Sequence, residues 1–437
     1  MTSPNAGGQW VVRCADCGGT FSTQTEHSVC PACGGLLDVQ RTTPWPSAAE
    51  LVALFDSRSR IAARKDTSGQ SGVWRYRELL FDVSGPIVSY PEGNTPLVRH
   101  SRTSSFSGVE DLVLKHEGMN PTGSFKDRGM TAGVTQARAL GARGVACAST
   151  GNTSASLAAY AAIAGLPAYV FVPADGIALG KLTQTLAYGA RTILVRGDFD
   201  RCLALVRDVA RDEGVYLLNS VNPFRIEGQK AIAIELMHQL GWRAPDWISL
   251  PAGNLGNTSA IGKALREMLA AGLIERLPRI LAVQAEHAAP FAESYAAHFS
   301  TRRVVRAETV ATAIRIGNPA SFDRAVRVIR ETDGAVVSVS DSEILAAKAV
   351  IDAAGIGCEP ASAASVAGIR HAVAHGLVRP TDTVVAILTG HVLKDPGVLT
   401  WYHRELEPRP LLANRPIVAD DDAASLTRLM SGEWPHA

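Results

Sequence analysis

Residues 120–128 read Asn-Pro-Thr-Gly-Ser-Phe-Lys-Asp-Arg. Lys126 stands in a short polar loop, with Ser124 two residues before it and Gly123 beside that. A lysine placed this way can hold an aldehyde cofactor as a Schiff base and then move protons on a substrate. Taken alone, the stretch better fits an exposed lysine at a helix start paired with Asp127. What surrounds it along the chain decides between the two readings.

Beyond residue 140 the sequence alternates two patterns. Val145–Thr150, Ala168–Pro173, Thr192–Arg196, Tyr216–Ser220, Trp247–Pro251, Ile280–Ala285, Ala335–Ser340 and Thr383–Thr389 are short apolar runs bounded by Gly, Pro or Asn. Such runs predict parallel strands covered on both faces. Helical periodicity fills the gaps at Thr153–Gly165, Leu179–Gly189, Arg201–Gly214, Gly228–Leu240, Thr258–Ala271, Asp341–Ala354 and Ala361–His375. The expected fold class is α/β, with helices on both faces of mostly parallel sheets. After Pro410 the chain reads as a wrap-around tail with one short helix.

In open α/β sheets ligands sit beyond the carboxyl ends of the strands, near helix starts. Four such ends carry chemistry. Ser149-Thr-Gly-Asn-Thr153 opens an Ala-rich helix and can bind a carboxylate through its amides and hydroxyls. Gly253-Asn-Leu-Gly-Asn257, between Ala252 and Thr258, can curl its amides around a phosphate at a helix start. It has neither the GK[ST] of a Walker loop nor a GxGxxG, so a compact monophosphate suits it better than a nucleotide. Asn219-Ser220, with Arg225 five residues further on, can grip a second anion. Thr389 ends the last strand, where a hydroxyl can face a ring nitrogen, and His391 and Lys394 follow it. Together these describe pyridoxal phosphate and an amino-acid substrate that carries its own anionic group.

The rest of the composition narrows the setting. Lys+Arg total 43 against Asp+Glu 42 in 437 residues, so the bulk charge gives no nucleic-acid footprint. No stretch reaches a membrane-spanning length, and the start lacks a secretory pattern, so a cytoplasmic location is expected. Four of the seven cysteines form two near-copies, Cys14-Ala-Asp-Cys17-Gly-Gly and Cys30-Pro-Ala-Cys33-Gly-Gly. That spacing suits a zinc ribbon with a structural ion, in a reducing compartment.

These segments resemble one family. Glu92–Leu97, Asn120–Arg128, Ser149–Thr153, Asn219–Arg225, Ala313–Pro319, Glu359–Ser365 and Leu388–Pro396 are similar to the threonine synthases, fold-type II pyridoxal-phosphate enzymes of the tryptophan synthase β-like superfamily. The resemblance runs from Cys14 to about Pro396. It implies a two-lobed fold: a zinc-ribbon-like module over 1–43, a large cofactor-binding lobe over 44–125 and 222–437, and a small lobe over 126–221. It implies that Lys126 holds the cofactor and acts as base at Cα and Cβ, and that Gly253, Asn254, Leu255, Gly256 and Asn257 hold its phosphate. Asn152 would face the ring oxygen and Thr389 the ring nitrogen. Ser149, Thr150 and Thr153 would bind the substrate carboxylate, and Asn219, Ser220 and Arg225 the leaving phosphate, with Lys394 a further candidate. Two departures lie beside the cofactor: Leu255 stands where Ala is typical, and Val392 where Gly is.

The implied activity converts O-phospho-L-homoserine and water to L-threonine and phosphate by γ-elimination and β-addition, in a homodimer. The alternative is a related lyase or β/γ-replacement enzyme acting on another phosphorylated amino acid, such as O-phosphoserine. No N-terminal effector domain is evident, so little allosteric activation is expected.

Overall fold

The computed structural model describes residues 9–61, 67–174, 182–196, 206, 209, 210 and 212–431. Three sheets organise them. The first is an antiparallel ribbon of order β2-β1-β3, with β1 Trp10–Cys14, β2 Thr20–Ser22 and β3 Leu37–Arg41. The second has six strands: β4 Leu97–Val98, β5 Asp111–His116, β10 Trp247–Pro251, β11 Arg279–Ala285, β12 Ala335–Val339 and β13 Thr383–Leu388. Their order is β12-β11-β10-β13-β5-β4, parallel except for β4. The third is parallel, of order β8-β7-β6-β9, from β6 Gly144–Ala148, β7 Ala168–Pro173, β8 Arg191–Val195 and β9 Val215–Leu217. The α/β reading therefore holds, and every strand expected from an apolar run is present within one to three residues. The expected helix over 201–214 lies largely outside the described residues, as does the start of that over 179–189, whose remainder forms Thr183–Ala187.

Two elements next to the site carry polar patterns that hid them. β5 is buried along nearly its whole length although it contains Lys115 and His116. The helix Lys126–Ala139 contains Gly129 and Gly133 and begins without a side-chain cap. It packs on the helix Pro223–Gln239, which starts five residues earlier than its apolar periodicity indicates. Asn222 caps that helix, accepting from the amides of Phe224 at 3.0 Å and Arg225 at 3.2 Å. The helices cross so closely that a Cβ on Gly228 would lie 1.9 Å from the Arg128 carbonyl oxygen. Only glycine fits there.

Charges buried at this crossing explain the polar patterns. Arg128 donates to Glu117 and Glu235, and Lys115 pairs with the same Glu235. Arg128, Lys115 and Glu117 are fully buried, and Glu235 nearly so. Burial alone would raise the Glu235 carboxyl, but Arg128 and Lys115 hold it far below the ordinary carboxylate range. The ribbon docks by similar means: Lys263 donates to the Val39 carbonyl, Arg324 to that of Leu37 and Gln136 to that of Thr23. No helix among the described residues is long and apolar enough to cross a membrane.

Removing one member of a buried ion network leaves its partners uncompensated. Glu235→Ala leaves Lys115 without a carboxylate and Arg128 with Glu117 alone, so urea unfolding of the variant is expected to show a loss of about 3–5 kcal/mol. A loss within the range of an ordinary surface substitution would show that the network does not carry this crossing.

Candidate active site

The lysine loop is fixed by a strand-like pairing to the end of β13. Ser124 and Gly390 form an antiparallel bridge, the Phe125 amide donates to Thr389 O at 3.0 Å, and the His391 amide donates to Gly123 O at 2.9 Å. Lys126 is then the first residue of its helix, and its Nζ lies 4.0 Å from the Phe125 ring centroid. Burial, and next the positive charge of Arg225, push the amine down to about 7, with Glu359 opposing. Such an amine has a substantial neutral, nucleophilic fraction near neutral pH. The neighbouring Asp127 does not pair with it. Asp127 accepts from the Thr122 amide and hydroxyl and from Ser156, and burial raises its carboxyl to about 6.

Glu359 is the residue that the sequence reading quoted in a motif but gave no role. Its Oε2 accepts from Asn152 Nδ2 at 2.9 Å and its Oε1 from Thr389 Oγ1 at 3.1 Å. The two side chains expected to face a cofactor ring thus meet on one carboxyl. That carboxyl is 4% exposed, and burial raises its pKa. Ser362, another residue without an assigned role, bonds Thr389 Oγ1 at 2.9 Å and receives the Gly390 amide.

The Gly253–Asn257 turn runs from the end of β10 into the helix Gly256–Ala270. A Cβ on Gly253 would sit 2.9 Å from the Ile314 backbone, which brings the Ala313–Pro319 segment over the turn. Leu255 takes the left-handed conformation at φ 61°, and its buried side chain packs into the main hydrophobic core. Val392 lies against Gly357. Asn254 is structural in part: its amide nitrogen donates to Ser220 Oγ at 2.7 Å and its oxygen accepts from the Ala320 amide at 2.6 Å. Both polar atoms of the Asn257 side chain, and the Thr258 hydroxyl, are buried without a hydrogen-bond partner. Buried groups of that kind mark a place for a polar ligand.

The second anion segment splits on inspection. The Asn219 side chain is taken up by the end of β6, accepting from the Ala148 amide at 3.1 Å, and Ser220 is taken up by Asn254. Arg225 is fully buried. Its Nη1 donates to Leu218 O at 3.0 Å, while Nε and Nη2 have no partner. Burial lowers its pKa to about 10, so it remains a cation. Ser149, Thr150 and Thr153 are half-buried around the start of the Asn152–Ala164 helix, with open space above Gly151. Lys394 reaches from the other side to Gln184, whose Nε2 donates to Thr122 O at 3.2 Å.

The comparisons with known proteins bear on this arrangement. Residues 88–390 match the pyridoxal-phosphate dependent enzyme family. The threonine synthase of Methanosarcina acetivorans is 47% identical over 388 residues, covering 88% of this chain and 92% of the relative. That of Mycobacterium leprae is 50% identical over 377 residues, covering 85% and 96%. The chain belongs to the threonine synthase family. Its fold is that of the Escherichia coli threonine synthase structure, with a TM-score of 0.68 at 18% identity over 96% of this chain and 99% of that one. Maize serine racemase shares the fold at a TM-score of 0.59 and 22% identity, over 72% of this chain and 93% of the other. Pyridoxal phosphate is the cofactor of this family, and the unpartnered groups of the 253–258 turn fit its phosphate.

The lowered amine gives a pH signature. Cofactor uptake by the apoprotein, followed by absorbance, is expected to rise through about pH 7 and level off above it. A rate still climbing near pH 10 would assign Lys126 an ordinary lysine pKa.

Proposed function

We infer that the protein is a threonine synthase, converting O-phospho-L-homoserine and water into L-threonine and phosphate. The observation that carries this reading is Arg225, a buried cation with two unpartnered N–H groups whose charge is felt at Lys126. A site that removes only water or ammonia has no use for such a group; a site that expels phosphate does.

When bound, pyridoxal phosphate supplies an electron sink for negative charge developing at the substrate Cα. The protein residues do the rest. Asn257, Thr258 and the turn amides hold the cofactor phosphate at the positive end of the Gly256–Ala270 helix. Asn152 and Thr389 take the ring edge, each oriented by Glu359. Thr389 offers a neutral hydroxyl instead of a carboxylate, which limits how much charge the ring absorbs and favours elimination over transamination. Ser149, Thr150 and Thr153 orient the α-carboxylate. Lys126 removes the proton at Cα and then one at Cβ, which its low pKa permits near neutrality. Arg225 receives the departing phosphate. Lys394, joined to Gln184, closes the cleft beside the lysine loop.

The alternative, a lyase for a shorter phosphorylated amino acid, would need a reshaped cleft. Leu255 packs into the core and Val392 against Gly357, so neither departure argues for one. In the ribbon the four sulfurs of Cys14, Cys17, Cys30 and Cys33 lie within 4.8 Å of one another. Thiolates bound at about 2.3 Å to a tetrahedral zinc sit about 3.8 Å apart, so the cluster suits a structural zinc. The ribbon 1–43, the large lobe 44–125 with 222–437, and the small lobe 126–221 are the units of this reading. The enzyme is read as cytoplasmic and homodimeric, the latter in keeping with exposed Leu411, Ile417 and Val418 in its C-terminal segment.

Phosphate release tests the assignment. O-phosphohomoserine is expected to be strongly preferred over O-phosphoserine, and Arg225→Met to lower kcat/KM by roughly a hundredfold. Preference for phosphoserine, or an Arg225→Met enzyme with unchanged kcat/KM, would remove the threonine synthase reading.

A further inference from the structure

The helix that begins at the cofactor turn carries a second feature on its far side. Lys263 and Arg266 of this helix face β3 of the ribbon and Thr43 and Trp45 beyond it, and the helix Phe322–Glu331 closes the third wall. Between them lies a cavity of about 230 Å³, with a narrow recess of about 20 Å³ that shares four of its lining residues.

The lining is cationic. Arg41, Lys263, Arg266, Arg324 and Arg327 face the cavity or its recess, against Asp38 and Glu267. Lys263 is already paired with buried Glu227, and Arg266 with Glu331 at 2.7 Å, so the cations left short of partners are Arg324 and Arg327. Both carboxylates are already engaged: Asp38 by Arg324 at 3.0 Å and Glu267 by Lys230. Burial would raise Asp38, but the charges of Arg324, Lys263, Arg266 and Arg327 lower it, the expected result of a positive field.

One group there lacks what it needs. Arg324 is 8% exposed and lines the recess. Its Nη2 serves Leu37 O and Asp38, but Nε and Nη1 are buried without any hydrogen-bond partner. Arg327 nearby is exposed and, among the described residues, pairs with no carboxylate. A buried guanidinium with orphaned N–H groups, beside a free one, matches the geometry that binds phosphate oxygens bidentately.

We propose that this junction between the ribbon and the cofactor-turn helix is a second anion site, separate from the catalytic cleft, that takes phosphate or a small phosphomonoester. The anion pairs with Arg327 and satisfies the orphaned N–H groups of Arg324. It also bridges the ribbon to the helix whose first turn forms the cofactor cup, so its occupancy stiffens the docking of β3.

Calorimetric titration of the holoenzyme with inorganic phosphate, and separately with methyl phosphate, tests the site. Arg225→Met, which disables the catalytic anion group, is expected to retain binding of one anion per chain. Adding Arg266→Ser with Arg327→Ser is expected to weaken that binding by about tenfold or more. Both substituted residues are at the surface, and cofactor absorbance checks that the variants remain folded. In parallel, hydrogen exchange in β3 is expected to slow on phosphate addition to the otherwise native enzyme, and not to slow in the Arg266→Ser/Arg327→Ser variant. No retained binding of either probe in Arg225→Met, binding indifferent to the two surface substitutions, or β3 exchange indifferent to phosphate would overturn the proposal.

Discussion

A two-residue antiparallel bridge sets the position of the Lys126 amine. Ser124 and Gly390 pair as strands do, with flanking bonds from Phe125 to Thr389 and from His391 to Gly123. The lysine loop is thereby anchored to the carboxyl end of the central strand β13, whose neighbours β10 and β5 supply the cofactor turn and the buried charge network. Gly390 is required for the approach, since a Cβ there would lie 2.4 Å from the Glu359 carboxyl carbon. One contact region thus fixes Lys126, Thr389 and Glu359 together.

Reactivity follows from the same packing. Lys126 is desolvated and feels the charge of Arg225, and both effects favour the neutral amine. The charged residues next to it in sequence are diverted: Asp127 to Thr122 and Ser156, Arg128 to Glu117 and Glu235. A salt bridge from Asp127 would have favoured the charged amine. The buried network fastens the helix crossing, while Thr122 and Ser156 hold the Asp127 carboxylate away from the lysine.

Much of this was legible along the chain because it obeys local rules. The parallel strands are apolar runs, and the 253–257 turn shows its glycines at a strand–helix junction. What escaped notice depends on partners far away in sequence. β5 looks too polar for a core strand until Lys115 meets Glu235, 120 residues on. The Lys126–Ala139 helix looks broken by glycines until Gly228 of the crossing helix is placed against it. The sequence cannot show that Asn219 also accepts from the Ala148 amide and Ser220 from Asn254. Glu359 lies inside a recognisable motif, yet only the fold shows that Asn152 and Thr389 converge on it.

The account stands on a covalent role for one side chain. Borohydride reduction of the purified holoenzyme, followed by peptide mapping with mass detection, reads that role directly. The pyridoxyl mass is expected on the peptide containing Lys126 and on no other lysine. Its appearance at another lysine, or an unmodified Lys126 in cofactor-saturated protein, would contradict the account.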